Sequence, residues 1–359
     1  MNRAHLILIS LITLIALIIA GIVIFSVYNA QPSQSPADLN CSQLLFSGEN
    51  KPSILFFSSK EDTVKYSEYL DTIEPFKSNR GSFNINYINS YQPNCELYQN
   101  VALYCYSRDL IKKASSCKSD YIVVLQSKPS QIRSSTYMNV ISINTALPLS
   151  VFPHEFAHAF AFLADEYVPA TLPKGSENCG SSCSNFESSC FQGCSKSEYY
   201  RSINSGIMRT LSSSVYGPFD EALISKKLSP NNNYLTGNAI LEKNECSSKN
   251  YYLLELQNSN GALVLINKTV ESGCSSSSGS GNYYYEIFKN NEIADINSFN
   301  PQLIFTDSTD SGEVFNSQEK IYIRLDALDF DKMKILDSDK NTIGELNLKD
   351  VGAQTCRIS

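Results

Sequence analysis

The sequence contains no tryptophan and only three histidines, His5, His154 and His158. Any imidazole-based site must draw on those three, and two of them stand four residues apart around Glu155. Basic clusters are also missing: 29 Lys and Arg face 36 Asp and Glu, giving a formal charge of -7. A phosphate-tracking surface is thereby excluded, and no nucleic-acid partner is expected. Disorder is excluded as well, because 359 residues with a 42% hydrophobic share suffice for two domains with a sizeable core. No internal repeat occurs.

Charge is absent altogether from residues 6–27, which are dominated by Leu, Ile and Val. That length matches one crossing of a hydrocarbon core and predicts a transmembrane helix. A cleaved signal peptide fits less well, since the apolar run exceeds a usual signal core and cleavage after Ala30 would set Tyr28 where a small residue is wanted. Arg3 precedes the span, and the nearest charges after it are Asp38 and Glu49. The positive-inside bias then holds residues 1–5 in the cytoplasm and predicts a single-pass protein of the cell membrane with its remainder extracellular. Eleven cysteines suit that compartment, where disulfides persist. Their odd number leaves at least one without a partner in the chain. Asn40 and Asn267 head possible glycosylation sequons.

Residues 28–39 read as a linker, with a Ser, Gln and Pro-rich stretch from Gln31 to Asp38. Strands are expected at Ser53 to Ser58, Phe83 to Ile88, Tyr121 to Leu125 and Met138 to Ile143. A helix capped by Asp62 should carry Tyr66, Tyr69, Leu70 and Ile73 on one face, and a shorter helix falls around Leu110 to Ala114. From residue 237 the texture changes to short strands separated by Asn, Gly and Ser. Tyr252 to Leu256 and Ala262 to Ile266 form a hairpin across Asn260-Gly261, and four further strands at regular spacing predict an all-β sandwich. The Ser and Gly tract from Ser275 to Gly281 reads as a mobile loop.

Chemistry concentrates at His154, Glu155 and His158. On a helix, positions four apart differ by about 40° and about 6 Å of rise, so both imidazoles can converge on one ion. Zn2+ suits two neutral nitrogens with an open position, and the adjacent Glu155 can take a proton from a zinc-activated water that then attacks a carbonyl. A third protein ligand is required, and no histidine beyond the membrane edge remains to supply it. Asp165 and Glu166 are the nearest carboxylates. In an unbroken helix Asp165 would lie about 10 Å past His158, so the helix must end between them if Asp165 binds metal. The Met138 to Ile143 strand lies just upstream, where zinc peptidases commonly hold substrate.

The run HEFAHAFAFLADEY, from His154 to Tyr167, resembles the signature of the IgA-peptidase-like zinc metallopeptidases, a metzincin-like family. SILFFSS, IEPF and SFNINYI resemble that family's opening segment, and YYRSINSGIMRTLSSSVYGP resembles its Met-turn region, so the likeness spans roughly residues 52–230. The resemblance implies zinc ligation by His154, His158 and Asp165, general-base action by Glu155, and Met208 as the floor of the site. Two departures stand out. The family carries glycine where this chain has Ala161 or Phe162, and the metzincin spacing sets the third ligand six residues after the second histidine, whereas Asp165 lies seven after. Asp165 and Glu166 therefore both stay open as third ligand.

Cys179, Cys183, Cys190 and Cys194 can form two disulfides or hold a structural zinc, and the outward topology favours disulfides. Cys246 with Cys274, and Cys95 with Cys105 or Cys117, are further candidate pairs. Tyr216 is a candidate oxyanion donor, with core packing the plainer role.

The expected fold is α+β: a metzincin-like zinc metallopeptidase domain of mixed sheet plus active-site helix over residues 40–236, an all-β sandwich-like accessory domain over 237–359, and one N-terminal transmembrane helix. The expected function is that of a membrane-anchored extracellular zinc metallopeptidase acting on a protein or peptide substrate. A non-enzymatic surface adhesion or binding protein with a vestigial zinc site, and a zinc-dependent amidase acting on cell-envelope amides, are the competing readings. Oligomeric state has no signature in the sequence.

Overall fold

Apolar runs bounded by turn residues become the strands of a seven-stranded mixed sheet. A computed structural model describes residues 39–186, 189–229, 245–259, 262–276, 279, 281–301, 304–306, 320–328 and 330–349. The strands are β1 (Ser42–Leu45), β2 (Ser53–Phe57), β3 (Asn84–Ile88), a small hairpin of β4 (Glu96–Tyr98) and β5 (Ala102–Tyr104), β6 (Tyr121–Gln126), β7 (Ser135–Tyr137) and β8 (Val140–Asn144). Those after His158 are β9 (Phe191–Cys194), β10 (Lys196–Arg201), β11 (Asn250–Ser259), β12 (Ala262–Ser272), β13 (Tyr283–Lys289), β14 (Glu292–Phe299), β15 (Phe305–Thr306), β16 (Lys320–Asp326), β17 (Lys332–Leu336) and β18 (Thr342–Asn347). The first sheet runs β1-β3-β2-β6-β8-β7-β15, with β3, β2, β6 and β8 mutually parallel and β1, β7 and β15 antiparallel to their neighbours.

Among the described residues four α-helices accompany these strands: α1 (Lys60–Leu70), α2 (Arg108–Ala114), α3 (Val151–Ala161) and α4 (Pro218–Leu228). Ser59, not Asp62, caps α1: its extended backbone lets Oγ accept from the Asp62 N–H, so the helix starts earlier than expected. Along β2 the side chains alternate between two cores. Ile54 and Phe56 face α1, α3 and α4, while Leu55 and Phe57 face α2 and the β-rich region beyond. Burial on both faces explains why these strands read as continuous apolar runs.

The later strands form two antiparallel sheets, β12-β11-β16 and β14-β13-β17-β18, whose inner faces share one core of Leu254, Ile287, Ile323, Met333 and Ile335. β11 is buried twice: Leu254 and Leu256 enter that core, while Tyr251 and Leu253 pack on the back of the first sheet. Buried Arg324 of β16 donates to the Ser119 carbonyl at 3.0 Å and hydroxyl at 2.9 Å, and Cys274 N donates to the Ser115 carbonyl at 2.7 Å. The division expected between residues 236 and 237 is therefore crossed, and β15 is itself a strand of the first sheet.

The expected α+β class of a metzincin-like domain plus a transmembrane helix is corrected by this architecture. The described chain is mostly β-sheet, and its four α-helices run to eleven residues at most. Segments between the helices fold into hairpins, β4–β5 and β9–β10, and α3 is stopped at Ala161 by a left-handed residue. Among the described residues no helix is long and apolar enough to cross a membrane. The helix expected over residues 6–27 lies outside the described residues, as do the Asn260-Gly261 turn and most of the tract from 277 to 280.

Among the described residues five disulfides close the chain: Cys41–Cys117, Cys95–Cys105, Cys179–Cys194, Cys183–Cys190 and Cys246–Cys274. They belong to an oxidising environment. The four clustered cysteines thus form two nested bridges rather than a metal site, and Cys356 falls outside the described residues.

Phe152, Phe156 and Phe160, spaced four apart, lay one face of α3 on the sheet. Phe156 meets Phe76, Phe83 and Tyr121 at centroid distances of 5.8, 5.5 and 5.4 Å. Phe156→Ala should destabilise the fold by about 3–5 kcal/mol, read as a shift in the urea midpoint; a cost under about 1 kcal/mol would show that this aromatic wedge does not hold α3 in place.

Candidate metal centre

A residue two places along a helix is rotated by about 200°, so the face opposite the aromatic wedge carries His154 and His158. Their Nε2 atoms are 3.3 Å apart. His154 Nδ1 lies 2.9 Å from the Ile207 carbonyl and His158 Nδ1 lies 2.6 Å from the Leu163 carbonyl. A carbonyl only accepts, so each Nδ1 carries the proton and each Nε2 is left to point at a common centre.

α3 ends one turn after the second histidine. Phe162 takes the left-handed conformation, φ 55° and ψ 37°, and reverses the chain. Asp165 is thereby carried back, its Oδ1 3.1 Å from His154 Nε2 and 3.4 Å from His158 Nε2. The helix end that Asp165 needed thus exists, at Phe162.

The returning loop is pinned by the cysteine-rich segment. Asn178 accepts from Ala164 N at 2.7 Å and donates to the Ala164 carbonyl at 2.9 Å, while Ser195 Oγ donates to the Asp165 carbonyl at 2.6 Å. The bridge Cys179–Cys194 joins the residues next to these two contacts. From the other side, residues 207–208 pass beneath the site: Ile207 holds His154, and the Met208 carbonyl accepts from Glu166 N at 2.8 Å. Met208 itself is fully buried in the core that includes Ala157.

The three donor atoms match one face of a coordination tetrahedron. Ligand bonds of about 2.0–2.1 Å imply ligand-to-ligand edges of about 3.3–3.4 Å, and the observed edges are 3.1, 3.3 and 3.4 Å. Among the described residues, His154, His158 and Asp165 are the group able to hold a metal ion. Burial pushes the His154 imidazolium down, yet the Asp165 carboxylate and the Glu155 charge outweigh it and raise its pKa to about 9. At His158 burial prevails over Asp165, and the pKa falls below the usual histidine value. Asp165 drops to about 2 against the effect of burial, because His158 and His154 face it. The ionised Asp165 carboxylate faces both rings, and a cation held there would displace the proton on His154.

Glu155 lies within the same buried region. Thr136 Oγ1 of β7 sits 2.8 Å from Glu155 Oε2 and 2.9 Å from its backbone carbonyl, fixing the carboxylate between strand and helix. Glu166 points elsewhere, among Arg201, Asn178, Arg209 and Asp220; burial raises its carboxyl to about 8 against the pull of the arginines. The geometry thus joins Asp165, and not Glu166, to the histidines. Tyr216 is fully buried and donates to the Pro153 carbonyl at 2.6 Å, which places it in the core beneath α3.

Three contributors had no signal in the sequence: Thr136, the Ser195–Asn178 pair and Phe305. Thr136 lies on β7, one strand beyond the expected substrate strand, which as β8 is interior between β6 and β7. Phe305 of β15 stacks on the His158 ring, with centroids 4.0 Å apart and planes inclined by 13°. No protein-family model matches the chain, and no curated protein matches it.

Asp165→Asn should weaken divalent-metal binding by at least about tenfold, and Glu166→Gln by clearly less, in competition with a chromogenic chelator. Paired replacement of Cys179 and Cys194 by serine should also cost roughly 10–100-fold in affinity while α3 stays folded, since it frees the loop behind Asp165. Unchanged affinity in that pair would mean that the bridge does not position the ligand.

Proposed function

We propose that the protein is an extracytoplasmic zinc metallopeptidase, hydrolysing peptide bonds in protein or peptide substrates. The observation that carries this reading is the buried His154, His158 and Asp165 triangle with tetrahedral edge lengths beside the strand-held Glu155. Two imidazoles and one carboxylate on a compact centre suit zinc, which accepts mixed nitrogen and oxygen ligands and keeps a fourth position for chemistry. The likeness of HEFAHAFAFLADEY to IgA-peptidase-like enzymes points to the same chemistry.

A bound zinc ion would supply Lewis-acid polarisation and a lowered water pKa. The chain's own residues supply the rest. Glu155 is the base that takes the proton of the attacking water and returns it to the leaving amine. Thr136 orients that carboxylate through Oε2. The carbonyls of Ile207 and Leu163 hold the imidazoles so that neither ring can turn away from the centre.

Purified protein should retain about one zinc per chain after dialysis. Glu155→Gln should keep that metal and lose about 10²–10⁴-fold in hydrolysis of an unfolded protein substrate. A folded protein that takes up no zinc, or a Glu155→Gln variant as active as wild type, would refute the assignment.

A further inference from the structure

A peptidase centre must admit a polypeptide, yet this one is closed. His154 and His158 are each 1% exposed, Glu155 is fully buried and Asp165 is 5% exposed. The closure comes from the chain itself. β15 lies antiparallel along β7, pairing Phe305 with Thr136 and Thr306 with Ser135. Thr136 is the residue that holds Glu155, so β15 sits directly across from the base. Phe305 lies flat on the His158 ring, and its edge meets Phe162 at 6.2 Å and 89°. Phe162 and Phe305 are both buried and form a small apolar cluster of their own.

We infer that β15 is an internal pseudo-substrate: residues 304–306 occupy the place of an extended peptide on the edge of β7, with Phe305 seated over His158, and hydrolysis requires this strand to leave. The inference rests on the peptidase reading of the same centre. Three observations converge on it. Strand addition to a sheet edge is the general way in which an extended chain is held by backbone hydrogen bonds, and β15 uses that mode at the strand carrying Thr136. Among the described residues the β15–β7 pairing spans two residue pairs, against three to five for the other ladders of the same sheet, so the shortest described ladder of that sheet is the one over the metal centre. The seat for Phe305 is also built by Phe162, a large side chain in a backbone conformation that favours glycine; its ring walls one side of the place where Phe305 lies. The chemistry of the seat defines what replaces β15: an extended polypeptide antiparallel to β7, with a planar aromatic side chain stacked on His158.

The test uses the full chain with Phe305→Ala, and Phe305→Tyr as the variant that keeps the ring. In chelator-treated protein, carbethoxylation of His154 and His158 by diethyl pyrocarbonate, mapped by mass spectrometry, should accelerate roughly tenfold or more in Phe305→Ala and stay at the wild-type rate in Phe305→Tyr. Zinc-loaded Phe305→Ala should cleave unfolded casein faster by a similar factor. Accelerated carbethoxylation without casein cleavage in any variant would uphold the cover and refute the peptidase reading. Unchanged carbethoxylation in a folded Phe305→Ala protein would overturn the cover, whatever the cleavage rate. Should Phe305→Ala not fold, amide exchange of the native chain decides: exchange at Thr136 and Tyr137 faster than global unfolding supports a strand that leaves, and exchange only through global unfolding overturns it.

Discussion

The reversal of the chain at Phe162 is the constraint on which the candidate metal centre depends. Three donor atoms must meet within a few ångströms, and a straight continuation of α3 would carry Asp165 away along its axis. A single left-handed residue ends the helix one turn after His158 and sets Asp165 against both imidazoles. For a residue with a side chain that conformation costs roughly 1–2 kcal/mol, and the structure holds it from both sides. Before the turn, the Phe152, Phe156 and Phe160 wedge anchors the helix. After it, Asn178 and Ser195 seize the backbone of Ala164 and Asp165.

The helix-borne half of the centre was legible because helical periodicity is a local property. His154, Glu155 and His158 share a short run whose spacing dictates their relative direction, and the phenylalanines at the same spacing mark the opposite face. The choice between Asp165 and Glu166 was not legible, since it turns on one backbone dihedral that a phenylalanine does not advertise. Glu166 differs from its neighbour only in pointing toward Arg201 and Asp220, residues distant in sequence. Thr136 and Phe305 were hidden for a related reason: each acts through strand neighbours, and strand order is set by long-range pairing rather than by composition.

The fold shows the same division. Runs such as Ile54 to Phe57 and Tyr121 to Leu125 announced buried strands, and the hairpin around Asn260-Gly261 announced β11 and β12. Their assembly did not follow from texture. β11 places alternate side chains into two cores, so it packs on the back of the first sheet as well as within the sandwich. The emphasis on an α+β metzincin-like body followed from one well-marked helix, whereas strands carry most of the regular structure of the described chain.

The seventh strand of the first sheet comes from far along the sequence, Phe305 pairing with Thr136. During synthesis β1 through β8 can assemble as soon as they emerge, but the outer edge of β7 has no neighbour until the chain is long enough to deliver β15. A nascent chain arrested before residue 304 would present a bare strand edge next to the assembled His154, His158 and Asp165 side chains, the kind of edge that templates pairing with another copy. The late arrival of β15 makes completion of the chain the event that removes this adhesive edge.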